Sequence, residues 1–439
     1  MTNKALIFVD RLTEDAKQLP LSLLNVGGIS ILERQLRQLK SCGISKVYIV
    51  SNRLESVLEA EVKKFKGGPE NIDLIADLKN GHQYWGAHES LLIIEEGRLV
   101  DQRVIQAVIN AQKPNVLSFF SSDTLLVGIS VSKKINLENL DFIFASVGRI
   151  QGDVLRSISS QKDFNSYPIE ALLKNFEGVM EFDKVLANSI STYKSFLRRD
   201  LDILWRPIEK EIDCIKATKL LILRAQKGTI DAVGRWVYPI PENFIVECLL
   251  KTSLQGLLFK GLIVLIGFYL TWLFAIGHMG WGLAGAIIVG LLYGVEGKLS
   301  SVSFGLDTFT TWSQIEQKSL EYSWIFAMAY FMADMTGNPA LWAVALLVTL
   351  FDIGIYFQKY FYRKLSGCSL YDAGDFEKRL KLLGAIRNTR IWLLIPFFVL
   401  EKWELGLWTI AFYTSITFFI TQYSSFKNTR VLFSLDKTT

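Results

Sequence analysis

The chain of 439 residues is long enough for two to three domains, and it is 50% hydrophobic, 13% aromatic and 21% charged. With a mean hydropathy of +0.27, that balance excludes disordered, collagen-like and disulfide-scaffold classes and points to a membrane protein. Lys and Arg number 48 against 43 Asp and Glu, a net charge of +5, which is too sparse for a nucleic-acid partner. Cys42, Cys214, Cys248 and Cys368 are far apart and the three histidines do not cluster, so the cysteines read as reduced structural thiols and no metal site is expected from them.

From Met1 to about Val237 short apolar runs alternate with charged, helix-like stretches, and none approaches the ~20 residues a bilayer requires. This half is expected to be water-soluble. MTNKALIFVDRL has too short an apolar run and no small-residue cleavage site for a signal peptide, so residues 5–9 read as a first strand and the domain as cytosolic. Residues 31–52 read as an amphipathic helix, a turn at Gly43 and a second strand, which together make a βαβ unit.

Beyond Pro239 and Pro241 long apolar segments follow to Tyr423. Six spans are expected, at residues 261–277, 282–295, 322–335, 340–357, 391–400 and 405–422. The second, third and fifth are short and cross if polar residues at their cytoplasmic ends continue the helix or if flanking residues snorkel. Six crossings return both termini to one side. The 358–390 loop holds eight Lys and Arg against three Asp and Glu, whereas the opposite loops hold only Lys402, so both termini are expected in the cytoplasm of a multi-pass inner-membrane protein. Residues 242–260 mix apolar and polar positions at near-helical spacing, which suits an interfacial helix or a plain linker helix.

LNVGGISILER (24–34) followed by SCGISKVYIVSN (41–52) resembles the opening of sugar-nucleotide and related nucleotidyltransferases. The resemblance implies a Rossmann-like α/β domain with a glycine-rich loop after its first strand, where backbone N–H groups approach phosphates without a Cβ in the way. The corresponding residues 9–24, VDRLTEDAKQLPLSLL, contain no glycine and carry Asp10, Glu14 and Asp15, which repel phosphate. Leu21 stands where the family places a lysine, and in LLIIEEGRLVD (91–101) Gly97 stands at the family's metal-holding aspartate. A retained fold without its nucleotide chemistry is the expectation.

IKATKLLILRAQKGTIDAVGR (215–235) resembles the juncture in bifunctional enzymes of the inositol-phosphate cytidylyltransferase/di-inositol-phosphate-phosphate synthase type. There it leads into a six-helix CDP-alcohol phosphatidyltransferase domain. That family's motif D-x2-D-G-x2-A-R-x8-G-x3-D-x3-D holds two divalent cations, Mg²⁺ or Mn²⁺, and its last aspartate is the expected base. Laid over this chain without a gap, the motif meets Tyr293, Glu296, Gly297, Ser300, Ser301, Thr310, Gln314 and Lys318. Only Gly297 is identical and only Glu296 conservative. Four carboxylates facing two dications become one carboxylate and one ammonium, so no cofactor is expected to bind and catalysis is expected to be lost. Lys318 either holds an anion in place of a cation or caps and snorkels at a helix end. Arg387 and Arg390 are further anion-binding candidates, with topology as their other explanation.

The expected division is a nucleotidyltransferase-like domain at 1–214, a juncture with an interfacial helix at 215–260, the membrane domain at 261–423 and a cytoplasmic tail at 424–439. The expected function is that of a catalytically silent pseudoenzyme acting as a binding, scaffolding or regulatory subunit. Membrane lipid, a second copy, an active relative or another membrane complex are the expected partners, and nucleic acid is not. The competing expectation is an active phosphotransferase of phospholipid or polar head-group synthesis, with a CDP-alcohol donor and a divergent site.

Overall fold

The computed structural model describes residues 2–14, 18–51, 55–65, 69–76, 84–121, 134–137, 140–159, 183–194, 197–228, 230–252, 254, 256–304 and 310–435. The chain divides into two units, Met1–Thr192 with Leu201–Leu221 and Tyr193–Asp200 with Ile222–Thr439.

The first unit is a mixed α/β sheet. Its strands are β1 (Lys4–Phe8), β2 (Lys46–Val50), β3 (Asn71–Ile75), β4 (Ser90–Ile94), β5 (Val116–Ser121), β6 (Lys134–Leu137), β7 (Leu140–Gln151) and β8 (Asp183–Leu186). They lie in the order β8-β5-β7-β4-β1-β2-β3, with β6 paired to β7. β1 runs parallel to both β2 and β4, with Ile7 opposite Ile49 and Ile94, while β7 lies antiparallel between β4 and β5. Central parallel strands are covered on both faces, which is why ALIF and LLII are unbroken apolar runs and not alternating ones.

The expected βαβ unit is β1, α1 (Ile31–Ser41) and β2. Ser30 caps α1 by accepting from the Glu33 amide at 3.1 Å, the start of an S-x-x-E box. Leu32, Leu36 and Leu39 recur at helical spacing and are buried in the core beneath the sheet. The remaining helices are α2 (Glu55–Lys64), α3 (Gln102–Asn110), α4 (Gly152–Ser159) and α5 (Glu211–Arg224).

The second unit is helical: α6 (Ala232–Trp236), α7 (Pro239–Leu249), α8 (Leu257–Ala275), α9 (Met279–Val302), α10 (Thr310–Thr336), α11 (Ala340–Ser366), α12 (Asp375–Leu383), α13 (Arg387–Val399) and α14 (Trp403–Leu435). α8, α9, α11 and α14 are long and apolar enough to cross a membrane, and the α12–α13 pair, bent by 44°, makes a fifth if it is one span. These helices mark a membrane protein. α10 contains the expected third span and has the length, but Glu316, Lys318, Glu321 and Asp334 keep it outside that apolar set. The short second and third spans are extended by polar residues, as expected: α9 has 24 residues and α10 has 27.

Two expectations are corrected. The helix expected over 242–260 ends at Leu249, and Gly256, at φ 63°, begins a separate helix that is already the first span. The boundary expected at 424 falls inside a helix, because α14 continues to Leu435 and both Ser424 and Asn428 donate to Glu377 Oε1 of α12, at 2.8 and 2.9 Å.

With little hydrophobic drive between helices in lipid, close approach depends on small residues. At Gly267 of α8, Trp324 Nε1 of α10 donates to the backbone oxygen at 2.9 Å, and an added Cβ would lie 2.7 Å from Leu320 Cδ1. Gly267→Val is therefore expected to lower the thermal unfolding midpoint of the purified protein by several degrees. Gly261→Val, where an added Cβ meets nothing within 4 Å, should leave it unchanged. Equal midpoints for the two variants would refute this contact as a determinant of packing.

Candidate functional site

In the first unit, the backbone after β1 meets the turn after β4. The amides of Asp10 and Arg11 donate to the two oxygens of Glu96, at 3.1 and 2.8 Å. These are the donors that the nucleotidyltransferase resemblance assigns to phosphate, and here a carboxylate of the chain itself takes them. Glu96 is only 4% exposed, and burial pushes its carboxyl up to about 8 against the opposing pull of the two amides and Arg11.

Beside it Glu95 accepts from Ser146 Oγ at 2.8 Å and pairs with Arg98 and Arg11 at 3.4 and 3.5 Å. Trp205 Nε1 donates to the same Ser146 hydroxyl at 2.9 Å. Ser146 holds a left-handed φ of 67° where the pairing of β7 with β5 slips, so a bulge aims this hydroxyl inward.

Leu21 and Gly97, the two positions at which the resemblance expects a lysine and a metal-holding aspartate, pack on each other. An added Cβ at Gly97 would lie 2.9 Å from Leu21 Cδ1, and φ there is 64°. Neither space nor backbone conformation suits an aspartate. Glu14 pairs with Lys210 at 3.3 Å, and Asp15 lies outside the described residues.

A glutamic acid whose folded pKa exceeds its unfolded value stabilises the fold fully below the unfolded pKa, and that stability is lost as pH rises through the folded one. The window for Glu96 runs from the ordinary 4.5 to about 8. Between pH 5 and pH 8 the natural chain should lose on the order of 4 kcal/mol of unfolding free energy through this group. Glu96→Gln should flatten that slope in urea unfolding followed by tryptophan fluorescence, and an unchanged slope would refute the assignment.

In the second unit, the aligned phosphatidyltransferase positions lie on α9 and α10. Tyr293 is 6% exposed, and its hydroxyl has no hydrogen-bond partner among the described residues. Its ring lies beneath the Arg387 guanidinium, 4.9 Å from carbon to centroid. Glu296, Gly297, Ser300 and Ser301 are partly exposed on α9. The side chains of Thr310 and Gln314, and Asp307, lie outside the described residues.

Lys318 sits within a network across α10, α11 and α13. Its ammonium bonds Asp352 at 2.7 Å and Glu321 at 2.8 Å. Arg390 bonds Glu321 at 2.8 Å and pairs with Asp352 at 3.2 Å, and the Tyr322 hydroxyl donates to Asp352 at 2.8 Å. Glu321, Asp352 and Arg390 are each at most 5% exposed. Two cations and two anions balance.

Two other nearby carboxylates are also committed, whereas Glu296 forms no ion pair among the described residues. Glu316 pairs with Lys260 at 3.2 Å and Glu242 with Lys298 at 2.8 Å. Among the described residues no group of three or more His, Cys, Asp or Glu is placed to hold a metal. Hard dications need several oxygen ligands of high charge, and Glu296, beside carboxylates that already face lysine and arginine, does not supply them for a pair.

Arg387 differs from Lys318 and Arg390. Among the described residues it has no carboxylate partner, only Gln317 and Asn388 at 3.5 and 3.4 Å besides the Tyr293 ring. It lines, with Arg390 and Glu321, the polar end of a cleft whose walls include Phe274, Leu283, Trp324, Met328 and Leu394. The sequence reading offers Lys318, Arg387 and Arg390 as anion-binding candidates, takes Asp352 as an acid that reaches water or pairs locally and Glu321 as off the aligned ligand positions, and misses only that these residues meet in one network. Asp352 and Glu321 carried a signal, since intramembrane acids are rare without a partner.

No known family profile and no curated protein matches this chain. Solved structures similar to it cover half of its length. The inositol-1-phosphate CTP transferase from T. maritima is 12% identical at a TM-score of 0.36, over 50% of this chain and 96% of its own. The 4-diphosphocytidyl-2C-methyl-D-erythritol synthase from Anaerococcus prevotii is 13% identical at 0.33, over 50% and 98%. HddC from Yersinia pseudotuberculosis is 12% identical at 0.33, over 50% and 99%. The α/β class of the first unit rests on its own strand order and register.

Removing one member of a buried ion network leaves an uncompensated charge, at a cost of roughly 3–5 kcal/mol. Asp352→Asn should destabilise the purified protein by about that much. Adding Lys318→Gln restores one cation against one anion and should recover part of the loss. A double variant no more stable than the single one would show that the charges are not coupled.

Proposed function

We propose that this chain is a catalytically silent membrane protein built on CDP-alcohol phosphatidyltransferase architecture, working as a binding, scaffolding or regulatory subunit. The observation that supports this most directly is the Lys318 ammonium, 2.7 Å from Asp352 and 2.8 Å from Glu321. A fixed protein cation stands at the position that the resemblance gives to the base, and its own carboxylates neutralise it. With a lysine at the base's position and no ligand set for paired dications among the described residues, a transfer that depends on metal stabilisation of developing charge loses its main device.

What remains is a place to bind. Arg387, which has no carboxylate partner among the described residues and lies at the edge of a small apolar cleft, suits the phosphate of a membrane lipid. In this reading the protein sits in the inner cell membrane with the basic segment 358–390 and both termini in the cytoplasm. It pairs there with a second copy, an active relative or another membrane complex.

The test uses the full chain in nanodiscs with CDP-diacylglycerol and a panel of alcohol acceptors, phosphorylated and not, with and without Mg²⁺ or Mn²⁺. Expected are no release of CMP and no metal-dependent rise in the unfolding midpoint, with lipid binding weakened by Arg387→Gln. Turnover of the cytidine lipid, or stabilisation that scales with metal, would overturn the proposal.

A further inference from the structure

We propose that the outer face of α12, with the adjoining ends of α11 and α14, is a docking surface for an anionic bilayer, engaging the head groups of the membrane that these helices can cross. α12 joins α11 to α13 and is turned 44° from α13. Its inner side is anchored. Ser424 and Asn428 of α14 donate to the buried Glu377 at 2.8 and 2.9 Å, and Lys381 Nζ lies 5.2 Å from the centroid of the Tyr371 ring.

On the opposite side, Phe376, Arg379 and Leu383 share one face at helical spacing. Phe376 is 53% exposed and Leu383 63%, and Lys378 and Arg379 beside them are exposed as well. A loop whose lysines and arginines served only to orient the spans would need no large apolar side chains among them. Phe and Leu interleaved with Lys and Arg on one outward face suit a helix lying in the plane of a membrane surface.

Two observations identify lipid as the occupant, and the first is continuity. α11 and α14 are membrane-capable and run side by side in one direction, with the Phe351 and Phe418 ring centroids 4.8 Å apart and Gln358 bonded to Gln422. Toward the ends that meet α12 they expose Tyr360, Phe361 and Leu365, and Tyr423 and Phe426. Tyrosines at such ends mark the level of the lipid head groups, and α12 extends this apolar surface after only residues 367–374.

The second is charge. Arg363 and Lys364 of α11 and Lys427 and Arg430 of α14 are exposed on the same ends. Of the acids in α12 and the turn before it, Glu377 faces inward, Asp372 is engaged by the Tyr193 hydroxyl and Asp375 pairs with Lys378 at 3.1 Å. The outward rim is therefore basic, which favours anionic head groups. A second copy of the chain would set one basic rim against another, an arrangement that like charge disfavours. This surface shares no residue with the Lys318 network or with Arg387, and it stands whether or not the transfer reaction is silent.

The full chain would be placed in nanodiscs of phosphatidylcholine, with and without phosphatidylglycerol. An environment-sensitive fluorophore on Cys368, exposed in the segment between α11 and α12, reports on the surface once the other exposed thiol is removed by Cys248→Ser. Phosphatidylglycerol should shift the emission to the blue and increase quenching by lipids brominated near the head group, and high salt should remove the difference. Lys378→Gln and Arg379→Gln should each weaken the response to phosphatidylglycerol about fivefold, and Phe376→Gln should abolish the quenching. Lys402→Gln, exposed on the opposite loop, should change neither. The unfolding midpoint of each variant in phosphatidylcholine alone separates lost docking from lost fold. An equal response in the two lipid compositions, or equal weakening by Lys402→Gln, would overturn the proposal. So would a change of oligomeric mass with Phe376→Gln while quenching persists, which would assign the face to a second copy.

Discussion

Lys318, Glu321, Asp352 and Arg390 close a four-charge circuit across three helices of the membrane-capable unit, and what that unit can do depends on the circuit being closed. A charge inside such a bundle is costly unless it is paired. Four positions of alternating sign, held at 2.7 to 3.2 Å, meet that cost within the chain. A site that holds metal and diphosphate meets the same cost with ligands: its carboxylates await cations from outside. Once lysine and arginine supply the positive charge covalently, the stabilisation goes to the fold and no differential affinity is left for an exogenous cation. Neutrality without a ligand is what the proposed catalytic silence means in physical terms.

The α/β unit follows the same logic with the sign reversed. A phosphate loop works because its backbone donors are unsatisfied until an anion arrives. After β1 those donors are satisfied by Glu96, and the buried carboxyl holds its proton to about pH 8. A phosphate arriving there would have to displace two amide bonds from a side chain that has no exit, beside a second acid, Glu95, tied to Ser146 and Arg98. The filling extends to sterics, since Leu21 occupies the volume an aspartate at position 97 would need.

Much of this could be read from the residues, and the limits of that reading follow the range of each interaction. Strand β1, helix α1 and strand β2 are set by local signals: unbroken apolar runs, a Ser30–Glu33 capping box and a glycine turn. The elements they predict agree with those observed to within a residue or two at β1 and α1. The long helices were legible for the same reason, although their ends were not. Polar residues such as Lys298 and Glu316 extend α9 and α10 because partners on other helices receive them, and composition carries no record of that. The network was half legible: spacing drew attention to Lys318, but whether its ammonium faced an anion from outside or one from α11 depended on a residue 34 positions away. Lys359 and Lys381 were legible only as topological charge, because their approach to Tyr371 is made by residues of two separate helices.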